Sequence, residues 1–592
     1  MSQTVASDAG DRTAAPPLPN ATRYLCAGSY LDSRFRTHVL NEILGDRYRA
    51  VAPSYGGTDL TPVVAHSLRA ERMALIRDGL TTVLMIVFLF TVPWVVVSWM
   101  FILLPLALLT LPRIRRGPRL VRVLLVIWTV VGVAVPLLTA LGASVIGGLA
   151  YATRSTFDLE DGTFAQEGVA LPVVVALIGA GVLLNLLFVF GPVLIPLGYR
   201  VQRYFALAVD LAPGSDGGRV EESLWRSDRM SYVSRAQWGN IALYGAENPF
   251  VGAGRIHRSW SITVEMDRTA DGANAPSPTP REHVQIDPID LHSFVRQRLL
   301  EMRDAVPSAP ERVARLHIND HLAVRGTFAR LDWERSATAQ NWGGQSHPLI
   351  DASSGLPHFT ASPETVVAAA RHPQGGLRHY QRVTIGAEAP EVRSPAGHLL
   401  APGEDQELVV SAFIHLAVEG RMLYTQFVVT VLPPVRDYFH IVDELPVLTK
   451  PGVVWRALVH APAELAADAM FAPGRLVRTV VRMARANRAS RNPARYPVYP
   501  FGARLSVREL GAEFREDRFT QILDADKYSK LIERRLTEAV LDYLEAKDVD
   551  TSGYRAQAAT LTNYGALITG GTFNGPVAAG SGAHATQNGS GK

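Results

Sequence analysis

Between Leu80 and Tyr199 the chain is almost continuously apolar, and only two short polar loops interrupt it. Three blocks stand out, Leu80–Pro112, Val123–Tyr151 and Val169–Leu197, and the first carries no charged residue. An uninterrupted apolar run longer than about 18 residues suffices to cross a bilayer. The second and third blocks each read as one span, with Ala143, Ser144, Gly147 and Gly148 small enough for helices to approach closely. As a single helix the first block would extend about 50 Å, against a hydrocarbon core of about 30 Å. Pro93 and Trp94 fall near its middle, where a kink or turn belongs.

Charge bias then sets the expected topology. Arg69, Arg72 and Arg77 precede the first block, Arg113, Arg115, Arg116, Arg119 and Arg122 follow it, and Arg200 and Arg203 follow the last. The remaining loop sets Arg154 against Asp158, Glu160, Asp161 and Glu167. Basic flanks belong on the cytoplasmic side. All three are cytoplasmic only if Leu80–Pro112 turns back near Pro93–Ser98 as a hairpin. The expected fold class is therefore an α-helical membrane anchor of about four membrane segments, the first two a hairpin, plus a soluble α+β domain. Both termini would be cytoplasmic, at a bacterial plasma membrane. Three plain spans with an outside N-terminus are the alternative.

Outside the membrane block the pattern changes. Residues 1–22 are polar and rich in Ala, Pro and Asp, which reads as a disordered leader. Residues 23–79 form a short helical region, with helices at Leu31–Gly45 and Pro62–Asp78 and with Asp59 or Thr61 as caps. In 200–560, beyond the anchor at 80–199, short alternating runs predict strands at Asn240–Gly245, Arg258–Asp267, His321–Asp332, Leu377–Ala387 and Leu408–Leu432. Glu419 and Gly420 mark a hairpin turn within the last of these. Thr269–Pro280 reads as a loop. Helices are expected at Leu291–Ala305, Val453–Met470, Pro473–Ala489 and Arg518–Lys547, the last with apolar residues near a 3.6 period. Residues 561–592 are a Gly/Asn/Ala tail of low complexity.

Composition excludes more than it assigns. The formal charge of +4 over 592 residues gives no reason to expect nucleic acid as a partner. Cys26 is the only cysteine, so no intrachain disulfide and no multi-cysteine zinc site can form. The opening RYLCAGSYLDSRF, with RAVAPSYG after it and the Gly/Asn tail at the other end, resembles uncharacterised actinobacterial multi-pass membrane proteins. That resemblance implies no activity and no residue roles.

Candidate chemistry is sparse. In LHINDHLAVRG, His317 and His321 stand four apart, with Asp320 able to orient either. His321 opens a predicted strand, however, which breaks helical spacing, and a third ligand would have to come from Asp332 or Glu334. No HExxH, P-loop or G-x-S-x-G motif occurs. No cofactor or metal is therefore expected. Arg475, Arg478, Arg482 and Arg485 line one face of a predicted helix, continued by Arg488 and Arg491, opposite Leu476, Val477, Val480 and Met483. Such a stripe suits anionic lipid headgroups, or else a solvated face packed on its own domain.

The expectation is a non-enzymatic anchor, scaffold or sensor whose interaction domain is cytoplasmic. Its partners would be the bilayer and a protein at the soluble domain, and it could form a homo-oligomer. A metal-dependent hydrolase or transferase built on His317, Asp320 and His321 is one alternative; an oligomeric pore is the other.

Overall fold

The structure, a computed structural model, describes residues 17–152, 155–157, 164–166, 171–218, 227–245, 247–269, 282–306, 311–329, 348–351, 353–389, 391–394, 396–459, 462–489, 493, 498–513 and 519–562. Most of the expected leader, most of the Gly/Asn tail, most of the Thr269–Pro280 loop, Asp332 and Glu334 lie outside these residues.

Six strands form one sheet: β1 (Ile241–Tyr244), β2 (Arg255–Glu265), β3 (Leu316–Arg325), β4 (Leu377–Ala389), β5 (Glu404–Glu419) and β6 (Met422–Leu432). Their spatial order is β1-β3-β4-β5-β6-β2, with β1 and β3 parallel and every other pair antiparallel. The β5–β6 hairpin closes through Gly420 and Arg421, both with positive φ (55° and 67°). Two left-handed central residues match the right-handed twist of the strands, and glycine adopts the first at no steric cost.

Around the sheet lie helices α1 (Asn20–Leu31), α2 (Ser33–Ile43), α3 (Leu60–Thr91), α4 (Pro93–Leu108), α5 (Arg119–Ala152), α6 (Leu171–Asp210), α7 (Ser227–Ala236) and α8 (Pro288–Asp304). Beyond them are α9 (Pro363–Arg371), α10 (Lys450–Val459), α11 (Pro462–Met470), α12 (Ala472–Ala489), α13 (Phe519–Glu545) and α14 (Ser552–Thr562).

Strand alternation divides the sheet into two unlike faces. On one face Ile318, Val383, Ala412, Val429 and Ile262 meet Leu291, Val295 and Leu299 of α8 and Ile532, Leu536 and Val540 of α13. The expected 3.6 periodicity of α13 is what lays this stripe on the sheet. The other face is only partly covered. Tyr55, Phe250 and Ala253 pack there on Phe413, Val428 and Leu432.

A second core joins the N-terminal helices to the rest. Leu25, Cys26 and Ala27 of α1, which starts at Asn20 inside the expected leader, pack with Val63 of α3, Leu207 of α6, Val233 of α7 and Phe439. Asp59 caps α3 by accepting the Thr61 N–H at 2.8 Å, as its residue type predicts.

The four-segment anchor is corrected. Among the described residues one helix, α3, is long and apolar enough to cross a membrane. Leu80–Pro112 divides at Val92, where Pro93 opens α4. The apolar residues that follow serve interior packing as well as length: Trp99, Ile102, Leu103 and Ala107 are buried with Ala466 of α11. At Gly132 of α5 a Cβ would collide with the Phe101 carbonyl, so these helices touch backbone to backbone. From Leu171 onward the block Val169–Leu197 is α6, which runs on to Asp210 and delivers Tyr204 and Leu207 to the second core. Hydropathy cannot distinguish apolar length that faces lipid from apolar length that faces protein. What replaces the anchor is a mixed α/β fold around the six-stranded sheet.

Leu536 is buried and Leu531, on the same helix, is exposed. Leu536→Ala is expected to cost about 2–5 kcal/mol, and Leu531→Ala well under half of that. Thermal melts of the two variants side by side check the orientation of α13.

Candidate functional site

The half-covered face of the sheet holds a cavity of about 580 Å³. β3 turns His317 and Asn319 toward it, and β4 sets Thr384 opposite His317 and Arg382 opposite Asn319. Ser54–Gly57, which precedes α3, and Trp238–Asn240, which follows α7, form the facing wall. Gly56 has φ of 69° and lies so close to Val409 that any Cβ would collide with its side chain. The glycine therefore lets the wall approach the sheet.

The lining is cationic. Four arginines, Arg296, Arg315, Arg382 and Arg508, and two carboxylates, Asp320 and Glu407, line it, the Arg296–Asp320 pair from the opposite face round the free edge of β3. Glu407 bonds away from the cavity, while Asp320 pairs with Arg296 within the lining. Glu407 sits at the bulge of β5 with φ of 54°, and its Oε2 accepts the Val435 N–H at 3.0 Å. Asp320 Oδ1 accepts from Arg296 Nη2 at 2.9 Å and lies 3.0 Å from His379 Nε2. Burial pushes the Asp320 carboxyl up, but the His379 hydrogen bond and the Arg296 charge outweigh it and hold it below the ordinary carboxylate range. The Arg382 guanidinium lies 4.6 Å from the Tyr55 ring centre, and its Nε has no hydrogen-bond partner among the described residues. Arg382 is a lining arginine with a buried donor left unmatched among the described residues, and a guanidinium so placed suits a small anion.

The wall is tied to α3 by one buried side chain. Gln237 accepts from Leu60 N at 2.6 Å through Oε1 and donates to Asp59 Oδ1 at 2.8 Å through Nε2. Its own carbonyl accepts from Ser54 N at 2.7 Å. The first residue of α3, its cap and the cavity wall thus share Gln237.

The three residues expected to act together are not brought together. In β3, His317 and His321 stand about 13 Å apart along the strand, too far to share one metal. Asp320 faces the opposite side of the strand from both. His321 is buried in the middle of β3, which starts earlier than expected, and its Nε2 lies 3.2 Å from the Pro249 carbonyl. Among the described residues no group of three or more His, Cys, Asp or Glu side chains could hold a metal ion. Of the three, His317 and Asp320 line the cavity, from opposite faces of β3, and His321 does not.

The arginine stripe faces inward. α12 lies on α3 so that Arg475 grips Asp78 with two hydrogen bonds, 2.8 and 3.0 Å, while Arg482 pairs with Glu71. Val477, Val480 and Met483 face outward. Arg478, the middle of α3 and Pro196, Tyr199, Arg200 and Arg203 of α6 line a second cavity of about 490 Å³ with these pairs. Arg485 is exposed, and the Arg488 and Arg491 side chains lie outside the described residues. Reading the sequence missed Arg382, because an arginine in an alternating strand passes for a solvent-facing position.

Burial, with the Arg382 charge adding to it, pushes the His321 imidazole down to about 3. The unfolded chain therefore binds a proton that the folded chain refuses between pH 6.5 and about 3. Stability then falls as pH drops below 6.5, with a slope of about 1.4 kcal/mol per pH unit from this group. Melting temperatures between pH 7 and 5 are expected to decline, and His321→Gln to flatten the decline.

Residues 259–574, over half of the chain, match the family model described as the AbeC-like domain. No curated protein and no solved structure matches the chain.

Proposed function

The chain belongs to the AbeC-like domain family, and from that premise we propose that it is a membrane-attached sensor that binds a small anionic ligand in the cavity on its sheet. The family segment contributes Arg296, Arg315, Arg382 and Arg508 to the cavity. Residues ahead of that segment contribute the wall at Ser54–Gly57 and the helix α3. One observation carries the reading: the wall that would touch a ligand passes through the Gln237 clasp straight into α3. Occupancy of the cavity and the position of α3 are then two readings of one equilibrium.

The membrane attachment is supported by the far half of α3. Leu80, Val83, Ile86, Val87 and Phe90 are all exposed, and an apolar surface of that length is unstable in water. A sensor needs no reacting group, only differential contacts in two states, and the arginine lining supplies such contacts for an anion.

The test uses the full chain purified in detergent. Denaturing it should release a small anionic molecule, identified by mass spectrometry, at near one per chain. Gly386 lines the cavity, and a Cβ there meets only the Arg315 side chain at ordinary contact distance. Gly386→Leu should therefore push a side chain into the cavity from a position that accepts a Cβ, and the released molecule should disappear. Equal amounts from both proteins would refute the assignment.

A further inference from the structure

The second cavity lies where the polar part of α3 gives way to its exposed apolar part. Glu71 and Asp78 of α3 line it, and the exposed run begins at Ile76 and Leu80. Seven arginines and four carboxylates surround it. Five of the arginines are matched: Arg36 and Arg482 with Glu71, Arg77 and Arg475 with Asp78 and Asp468, and Arg200 with Glu464.

Arg203 and Arg478 are the remainder. Arg203 donates from Nη1 to the Tyr30 carbonyl at 3.1 Å, and its buried Nε has no hydrogen-bond partner among the described residues. Burial, with the Arg200 charge adding to it, pushes its guanidinium down to about 10. Arg478 reaches the same space from α12 and pairs with no carboxylate among the described residues. A closed network of ion pairs accounts for the matched five but leaves these two cations facing a cavity.

We infer that this cavity is a headgroup site for an anionic phospholipid, with Arg203 and Arg478 holding the phosphate. The phosphate would complete the charge balance. Met73, Ala74 and Leu75 on the lining give the glycerol backbone and upper acyl chain an apolar path toward Leu80. A free phosphate would use the same two arginines but gain nothing from that path, which favours the lipid. The site differs from the ligand cavity on the sheet and shares with the sensor reading only the membrane attachment of α3. Loss of the ligand from the sheet cavity would leave this inference intact.

Native mass spectrometry of the full chain in detergent, titrated with phosphatidylglycerol or phosphatidylcholine, tests it. The wild type is expected to bind phosphatidylglycerol about tenfold more tightly. Arg203→Gln with Arg478→Gln should abolish that preference. Arg478→Gln alone, at an exposed position where folding is not at stake, should weaken it about threefold, and Arg485→Gln should leave it unchanged. Equal binding of the two lipids by the wild type would overturn the inference, as would a preference that survives the double substitution. Displacement of phosphatidylglycerol by inorganic phosphate at low millimolar concentration would also overturn it, in favour of a soluble anion.

Discussion

The unequal cover on the two faces of the sheet is the constraint from which the rest follows. α8 and α13 cover most of one face, so Ile318, Val383 and Val429 lie in the core. The opposite face receives only the aromatic plug of Tyr55, Phe250 and their neighbours. Beyond the plug, Arg382 and Thr384 remain where water and ligands can reach them. Because β3 is central for only part of its length, its free edge at His317–Asp320 adds to that opening. A site arises where the fold stops burying surface.

The N-terminal segment turns this opening into a cavity. Ser54–Gly57 could not approach β5 without glycine at position 56, and the segment would have no fixed end without Gln237. The clasp joins two neutral hydrogen bonds, each worth about 1 kcal/mol net, to one from Gln237 to the Asp59 carboxylate, and all are costly to leave unmade. It is therefore rigid while intact and cooperative when broken. The proposed coupling of the cavity to the first turn of α3 rests on that combination.

Much of the local structure was legible in the sequence. The turn at Glu419–Gly420, the cap at Asp59 and the apolar stripe of α13 all follow from residue type and period. The arginine stripe had the right period, and its direction was also written in the chain. Arg475 and Arg482 are seven apart, as are Glu71 and Asp78, and across two antiparallel helices Arg475 meets Asp78 and Arg482 meets Glu71. What was not legible came from distance along the chain. The cavity joins residues near position 55 to residues near 240, 320, 382 and 508, and no local pattern connects them. The apolar blocks were over-read for a related reason: composition gives the length of an apolar helix but not the surface it meets, and Trp99 meets protein.

The central claim is that the cavity and α3 move as one. Hydrogen–deuterium exchange at Leu60–Val64, compared between the wild type and Gly386→Leu in the full chain, tests this directly. A side chain placed in the cavity should change protection at the first turn of α3 by about tenfold, equivalent to about 1.4 kcal/mol transmitted through the clasp. Identical exchange at Leu60–Val64, with altered exchange confined to the strands around Gly386, would contradict it.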